Sequence, residues 1–277
     1  MSIAYFNGSF MPPEDVVIPL SDRSVFFGDG VYDAAIGSNG KIYMLDEHIE
    51  RFISNAARMD IRTVTKERLK EILENALLLS GENFAFLYFQ ATRSLKERRH
   101  SAFECTESNL LLTATAIPKP SPERTLSLSL YEDMRYFYCD VKTLNLLPGV
   151  LSATDAEKRG FDEAVFHRCG VVTECSHSNI FAIKYGELYT HPNGRMILPG
   201  TARKRLIEIA KKEGIVCHCI PFSTEFLLSA DEALVTSSTK LCLRVGRIED
   251  RIFTIDDRSI GTMLTEKMHM EFEHFFL

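Results

Sequence analysis

The sequence predicts an α+β protein of two domains, a smaller one over residues 1–117 and a larger one over 126–277. Three observations lead to that class. Strand-like and helix-like segments are mixed without a regular strand–helix–strand alternation. Pro118-Lys119-Pro120-Ser121-Pro122-Glu123 can propagate neither a helix nor a central strand, because three prolines lack the amide hydrogen and restrict the residues before them, so 118–125 reads as a linker. A chain of 277 residues, 45% of them apolar, is long enough for two modest domains and can bury a core.

The elements follow in order. Residues 46–60 place Ile49, Phe52, Ile53, Ala56, Ala57 and Met59 on one side of a helix, with Asp46 as its cap. Thr65 begins a second helix whose apolar stripe is Leu69, Ile72, Leu73, Ala76 and Leu77; Ser80-Gly81 ends it, since glycine tolerates the left-handed conformation. Strands are predicted over 84–92 and 110–117, both rich in aromatic, β-branched or leucine residues. Beyond the linker come short strands at 126–131, 163–166 and 180–183, a helix over 149–159, and another over 201–213 stopped by Gly214.

Composition narrows the function classes. A net charge of −6 and a pI near 5.8 argue against a nucleic-acid or anionic-membrane surface, which needs clustered positive charge; the short run Lys96-Glu97-Arg98-Arg99-His100 is the exception. Seven cysteines, an odd number scattered from Cys105 to Cys242, do not resemble a disulfide framework and fit a reducing compartment. Cys217-His218-Cys219 invites a zinc reading, yet it lies in the alternating run Ile215-Val216-Cys217-His218-Cys219-Ile220, where neighbours point to opposite faces, so buried strand cysteines and no metal are expected. The amino terminus carries no charged leader, and no run approaches the ~20 apolar residues that span a bilayer, so a cytoplasmic enzyme is expected.

Two segments carry the chemistry. Cys139-Asp140-Val141-Lys142-Thr143-Leu144-Asn145-Leu146-Leu147-Pro148-Gly149 encloses a lysine in apolar neighbours, which suits condensation with an aldehyde because desolvation favours the uncharged, nucleophilic amine. Pyridoxal phosphate is the obvious aldehyde. It also needs an acid partner for its ring nitrogen, and Glu174 in Val172-Thr173-Glu174-Cys175-Ser176-His177-Ser178-Asn179 is a candidate in a strand-to-turn segment. Gly200-Thr201-Ala202 precedes an amphipathic helix, so its amides point at an anion as helix N-termini do. Ser237 and Ser238 end the strand Ala233-Leu234-Val235-Thr236 and offer hydroxyls and amides.

These segments, together with Phe27-Gly28-Asp29-Gly30-Val31-Tyr32-Asp33, Asp46-Glu47-His48-Ile49-Glu50-Arg51, Ile197-Leu198-Pro199-Gly200-Thr201-Ala202-Arg203 and Val235-Thr236-Ser237-Ser238-Thr239, resemble the fold-type IV pyridoxal-phosphate enzymes. That group contains D-amino acid aminotransferase, branched-chain aminotransferase and aminodeoxychorismate lyase, and the resemblance covers nearly the whole chain. It implies that the cofactor lies between the domains, with Lys142 as its attachment point and proton shuttle and Glu174 at the ring nitrogen. Arg51, Thr201, Ala202, Ser237 and Ser238 become the phosphate contacts, and Leu198 packs against the ring. Arg98 and His100, with Tyr32, look like the carboxylate trap of the D-amino acid aminotransferases; an arginine fork pairs with a carboxylate while a phenol and an imidazole add hydrogen bonds without negative charge. Family members place this loop over the neighbouring subunit's site, which implies a homodimer.

The activity so implied is transamination of a D-amino acid, D-alanine type, with a 2-oxo acid as acceptor. Aminodeoxychorismate lyase is the alternative, followed by a branched-chain L-aminotransferase, which the polar Arg98/His100 pair and the short chain disfavour. A non-catalytic module of the same fold has no need of Lys142, Glu174 and Arg51 together. The chain departs from its resemblance at Asp33-Ala34-Ala35-Ile36, where Ala34 enlarges the side-chain pocket, and at the more charged loop Ser94-Leu95-Lys96-Glu97.

Overall fold

The computed structural model describes residues 2–94, 98–103, 105 and 107–277, which fall into two compact units. One comprises the chain through Lys119 together with Val141–Asn145 and Phe276; the other comprises Pro120–Asp140, Leu146–Phe275 and Leu277.

The first unit is an antiparallel sheet with helices against one face. Its strands are β1 (Ile3–Phe6), β2 (Ser9–Met11), β3 (Gly30–Ser38), β4 (Lys41–Ile42), β5 (Ala85–Ser94) and β6 (Glu107–Ala116), in the spatial order β2-β1-β6-β5-β3-β4. Its helices are the single turn α1 (Ser24–Phe27), α2 (Leu45–Arg58) and α3 (Lys66–Ser80). Side chains alternate across a strand, so the β3/β5 register divides the sheet into two faces. Val31↔Ala91, Asp33↔Phe89 and Ala35↔Leu87 face the helices, where Phe52 of α2 meets Phe89 edge-on at 5.0 Å and Leu69, Leu73 and Leu77 of α3 complete the core. Tyr32↔Gln90 and Ala34↔Tyr88 face the other way.

Two expectations for α2 need correction. Asp46 is not the cap: the tight turn out of β4 puts Met44 there, in the left-handed region at φ 52°, and Asp46 lies in the first turn, where its charge suits the helix dipole. Ala57 is exposed, being about 100° round the helix from Ala56, and Asn55 takes the buried position instead. For α3 both boundaries stand as expected, with the Thr65 hydroxyl accepting from the Arg68 amide at 3.3 Å and Gly81 closing at φ 64°.

The second unit holds a mixed sheet built from β7 (Thr125–Glu132), β8 (Glu163–Arg168), β9 (Val171–Cys175), β10 (Asn179–Lys184), β11 (Glu187–Thr190), β12 (Cys217–Cys219), β13 (Glu232–Ser237), β14 (Leu241–Ile248) and β15 (Arg251–Ile252). The order is β12-β11-β10-β13-β14-β7-β8-β9, with β15 on β14; the β11/β12, β14/β7 and β7/β8 pairs are parallel. Helices α4 (Leu147–Lys158), α5 (Thr201–Lys212), α6 (Thr224–Leu228) and α7 (Ile260–Phe276) belong with it. Cys217-His218-Cys219 is the predicted strand but not a buried one: β12 is the sheet's edge, Cys219 is exposed, and His218 Nε2 pairs with Glu187 Oε2 at 2.8 Å. Among the described residues no cluster of three His, Cys, Asp or Glu is arranged to hold a metal, and no helix is long and apolar enough to cross a membrane.

Candidate active site

Lys142 is positioned by β-type pairing with the first unit. Val141–Asn145 runs antiparallel along the start of β3: the Tyr32 amide donates to the Lys142 carbonyl at 2.9 Å and the Leu144 amide to the Gly30 carbonyl at 3.0 Å. The approach demands glycine at 30, because a Cβ there would lie 2.6 Å from Leu144 Cδ1 and 2.9 Å from the Ala91 carbonyl. Lys142 Nζ sits 4.3 Å from the Tyr32 ring centroid and pairs with no carboxylate among the described residues. The apolar enclosure expected from sequence is only partly realised. Val141 is buried, but Leu146 and Leu147 are exposed, and it is the Tyr32 ring that accompanies the amine. Tyr32 in turn stacks on Tyr88 at 5.4 Å, and the Tyr88 hydroxyl donates to Gln90 at 2.7 Å; burial pushes the Tyr88 phenol above its usual range.

On the opposite face of β3, Asp33 has no exposed surface and gathers His48 and Arg51 from α2. Nε and Nη2 of Arg51 donate to Oδ2 and Oδ1 at 2.8 Å each, and His48 Nδ1 lies 2.8 Å from Oδ1. Burial is the largest influence on Asp33 and opposes ionisation, but Arg51 and His48 together outweigh it and hold the carboxyl well below the ordinary carboxylate range.

Arg98 and His100 are exposed, and Leu95–Glu97 beside them lie outside the described residues. The segment is held through its backbone. Buried Arg23 donates Nη1 to the Arg99 carbonyl and Nη2 to the His100 carbonyl at 3.0 Å, while its Nε reaches Asp29 Oδ2 at 2.7 Å. Asp29 is also gripped by Arg93, with Nη2 2.7 Å from Oδ1. The Arg98 guanidinium lies 5.0 Å from the Phe27 ring centroid, and the His100 ring 5.4 Å from the same ring. Tyr32 is therefore within the same unit as this segment, two residues along β3 from Gly30, but among the described residues no contact joins it to Arg98 or His100.

In the second unit Glu174 is buried near the end of β9. Its Oε2 accepts from the Asn179 side-chain amide and from the Leu198 backbone amide, both at 2.9 Å, and its Oε1 accepts from Arg135 Nη1 at 2.5 Å. Burial pushes the carboxyl up to about 7 against the pull of Arg135. Asn179 also donates to the Leu198 carbonyl at 2.9 Å, so one side chain joins Glu174 to the segment that leads into α5. A Cβ at Gly200 would collide with Asn179 Oδ1, which explains glycine there without recourse to φ.

Thr201 and Ala202 form the first turn of α5, which has no side-chain cap and no acidic residue in that turn. The N-terminal end of a helix suits an anion. Ser237 ends β13 and its hydroxyl accepts from the Lys240 amide at 3.1 Å; Ser238 lies in the turn that follows. Behind that turn Lys240 Nζ donates to fully buried Glu163 at 2.7 Å, and Glu163 also accepts from the Ser178 hydroxyl at 2.7 Å and the His177 amide at 3.0 Å. This ties the β13/β14 turn to the segment after Glu174.

The donor set fits pyridoxal phosphate on its chemistry. A carboxylate with a lone pair left over, a lysine beside an aromatic face that pairs with no carboxylate among the described residues, and a helix N-terminus without an acidic residue in its first turn are what its ring nitrogen, aldehyde and phosphate require. Sequence reasoning missed Asp33, Arg23, Asp29, Arg135, Asn179 and Glu163. Asp33 and Asp29 stood inside a motif already singled out, and the signal for them was an acidic residue within a strand-forming run; Arg135 and Arg23 carried no such signal.

Comparison with known proteins gives concordant findings. The family model described as amino-transferase class IV matches residues 30–248. The chain is 34% identical over 280 residues to a D-alanine aminotransferase of Staphylococcus epidermidis, covering 99% of this chain and 98% of that one. Among solved structures it is similar to a branched-chain aminotransferase of Thermoproteus uzoniensis in complex with norvaline, at a TM-score of 0.90 and 21% identity over 99% of this chain and 97% of that chain. A T.th. branched-chain amino acid aminotransferase complexed with N-(5'-phosphopyridoxyl)-L-glutamate gives 0.88 and 21% over 96% and 92%.

Proposed function

This chain belongs to the class IV aminotransferases, and we propose that it transfers the amino group of a D-amino acid, D-alanine type, to a 2-oxo acid with pyridoxal phosphate as cofactor. The observation that carries the substrate reading is the near full-length 34% identity to a D-alanine aminotransferase; the branched-chain likeness, at 21% identity, concerns the fold.

Lys142 holds the cofactor and moves the α-proton at its Nζ. Bound there, the cofactor supplies the carbonyl that takes up the amino group and the ring that accommodates the electron pair left by the departing proton. Glu174 receives the ring nitrogen and Leu198 packs the ring. The phosphate is taken by Arg51, Thr201, Ala202, Ser237 and Ser238, with Asp33 orienting Arg51 from behind. Arg98 and His100, with Tyr32, hold the substrate carboxylate. Tyr32 also separates the Lys142 amine from Tyr88 and Gln90, and Ala34 beside it leaves room for a side chain.

A homodimer completes this reading. Arg98 and His100 are exposed, and each unit displays exposed apolar residues: Leu20 and Val25 on the first, Tyr136 and Leu151 on the second. Exposed apolar groups of this kind suit an interface with a second copy. The cytoplasm is the proposed compartment, on the free thiols of Cys105 through Cys242.

The test is a half-reaction. Purified holoprotein mixed with D-alanine alone should lose the cofactor's visible band and release pyruvate, with L-alanine inert. A protein that keeps its band with D-alanine would refute D-transamination.

A further inference from the structure

Glu174 is not alone with the ring nitrogen it is read to serve. A carboxylate offers about four lone-pair directions, and three are occupied in this structure: two on Oε2 by Asn179 and Leu198, one on Oε1 by Arg135. The remaining direction is on the oxygen that Arg135 already holds. A ring N–H held by Glu174 would therefore share Oε1 with a guanidinium.

That guanidinium is itself rigidly placed. Nε and Nη2 of Arg135 fork onto Asp133 Oδ1 and Oδ2 at 2.9 and 2.8 Å, its plane lies 4.6 Å from the Phe166 ring centroid, and Nη2 also reaches the Met196 carbonyl at 3.3 Å. Asp133 is in turn fixed by the Thr173 hydroxyl at 3.0 Å and by Arg168 Nε at 3.2 Å, and Arg168 Nη2 donates to the Arg135 carbonyl at 2.7 Å. Only Nη1 points away from this clamp, and it ends on Glu174.

We propose that Arg135 is a positioning residue that orients the Glu174 carboxylate and sets its charge, so that it governs how strongly the cofactor's ring nitrogen is held protonated. The proposal rests on the reading of Glu174 as the ring-nitrogen partner. Arg135 is a cation within bonding distance of a group whose burial favours neutralisation, and Asp133, one step further back, moderates it. The other charged or titratable groups facing Glu174 and Arg135 are Arg168 on β8, Cys175 on β9, Arg203 on α5 and Cys139 in the segment after Arg135; burial raises both thiols, leaving them neutral at neutral pH.

The experiment is a pH titration of the visible absorption of the bound cofactor in holoprotein. Arg135→Gln removes a positive charge, so every nearby group binds protons more tightly and the midpoint should rise by a unit or more, about tenfold in proton affinity. Asp133→Asn removes a negative charge and should move the midpoint down. Arg135→Lys, which keeps the charge but loses the fork, should return it most of the way. A merely structural Arg135 would leave the midpoint in place and lower only cofactor retention. If Arg135→Gln fails to fold, the opposite-signed Asp133→Asn and the Lys variant still decide. Midpoints unmoved in these variants would overturn the proposal. Glu174→Gln separates the two readings: if it alone matches the wild-type spectrum, Glu174 is not the ring-nitrogen partner and the proposal falls with it; if it changes the spectrum while the Arg135 variants do not, only Arg135 is dismissed.

Discussion

Arg51 and Asp33 meet edge to edge, Nε and Nη2 of the arginine each 2.8 Å from one carboxylate oxygen of an aspartate with no exposed surface. The pair joins α2 to β3 directly behind Tyr32, so the cation read as a phosphate ligand is also part of the first unit's interior. Removing one member strands the other. Arg51→Ala should lower stability by about 3–5 kcal/mol, the range for breaking a buried pair. Thermal melting of apoprotein should show a fall on the order of 10 °C. A loss of cofactor binding with an unchanged melting point would mean that Arg51 acts on the ligand alone.

The same pair sets an acid limb. Asp33 has a folded-state pKa below its unfolded value of about 3.9, so its contribution to stability is fully present above that value and is lost progressively as pH falls from it toward the folded-state value. Asp33→Asn should be less stable than the parent at pH 7, yet should lose less on acidification below about 4. Chemical denaturation at pH 7 and pH 3 checks the difference.

Glu174 runs the other way. Its folded pKa near 7 exceeds the unfolded value, so the native state binds the extra proton and, without cofactor, stability falls as pH rises from about 4.5 to 7. A shift of that size corresponds to about 3 kcal/mol at most. Apoprotein of Glu174→Gln should lack this decline, which melting curves between pH 5 and 8 will reveal. Parallel declines in the two proteins would assign the effect elsewhere.

Arg98→Ala should reduce kcat/KM for D-alanine about tenfold or more, the loss of one charge-assisted contact of ~1.5–3 kcal/mol. Steady-state kinetics with D-alanine and 2-oxoglutarate measures it. An unchanged value removes Arg98 from substrate binding.

Gly200→Ala tests packing without changing a charge. The added methyl displaces Asn179, which holds both Glu174 and the Leu198 segment, so cofactor affinity should fall about tenfold, in keeping with ~1–3 kcal/mol for overpacking. Equilibrium dialysis of cofactor gives the number.

The sequence made the helices over Leu45–Arg58 and Lys66–Ser80 legible because each buries one stripe against a sheet and periodicity records that directly. β3 escaped notice because it is buried along nearly its whole length and alternates little, and β12 was read as buried because alternation says nothing of whether a strand lies at an edge. The motif residues stood out by type and order. Their orienting partners did not: Asp133 and Arg135 meet Glu174 only through the β7/β8/β9 arrangement, a long-range pairing that no local window contains. Asp46 looked like a cap because its residue type is right, and the left-handed turn at Met44 took the place that residue type alone would have assigned it.

The lysine segment has a further consequence for how this chain is made. Val141–Asn145 belongs with the first unit although the residues on both sides of it belong with the second. During synthesis, a nascent chain that has emerged through Lys119 still lacks the backbone that pairs with the Tyr32 amide and the Gly30 carbonyl. The first unit therefore finishes folding only after the ribosome has passed into the second, and the Lys142 amine arrives with the backbone that pairs along the start of β3.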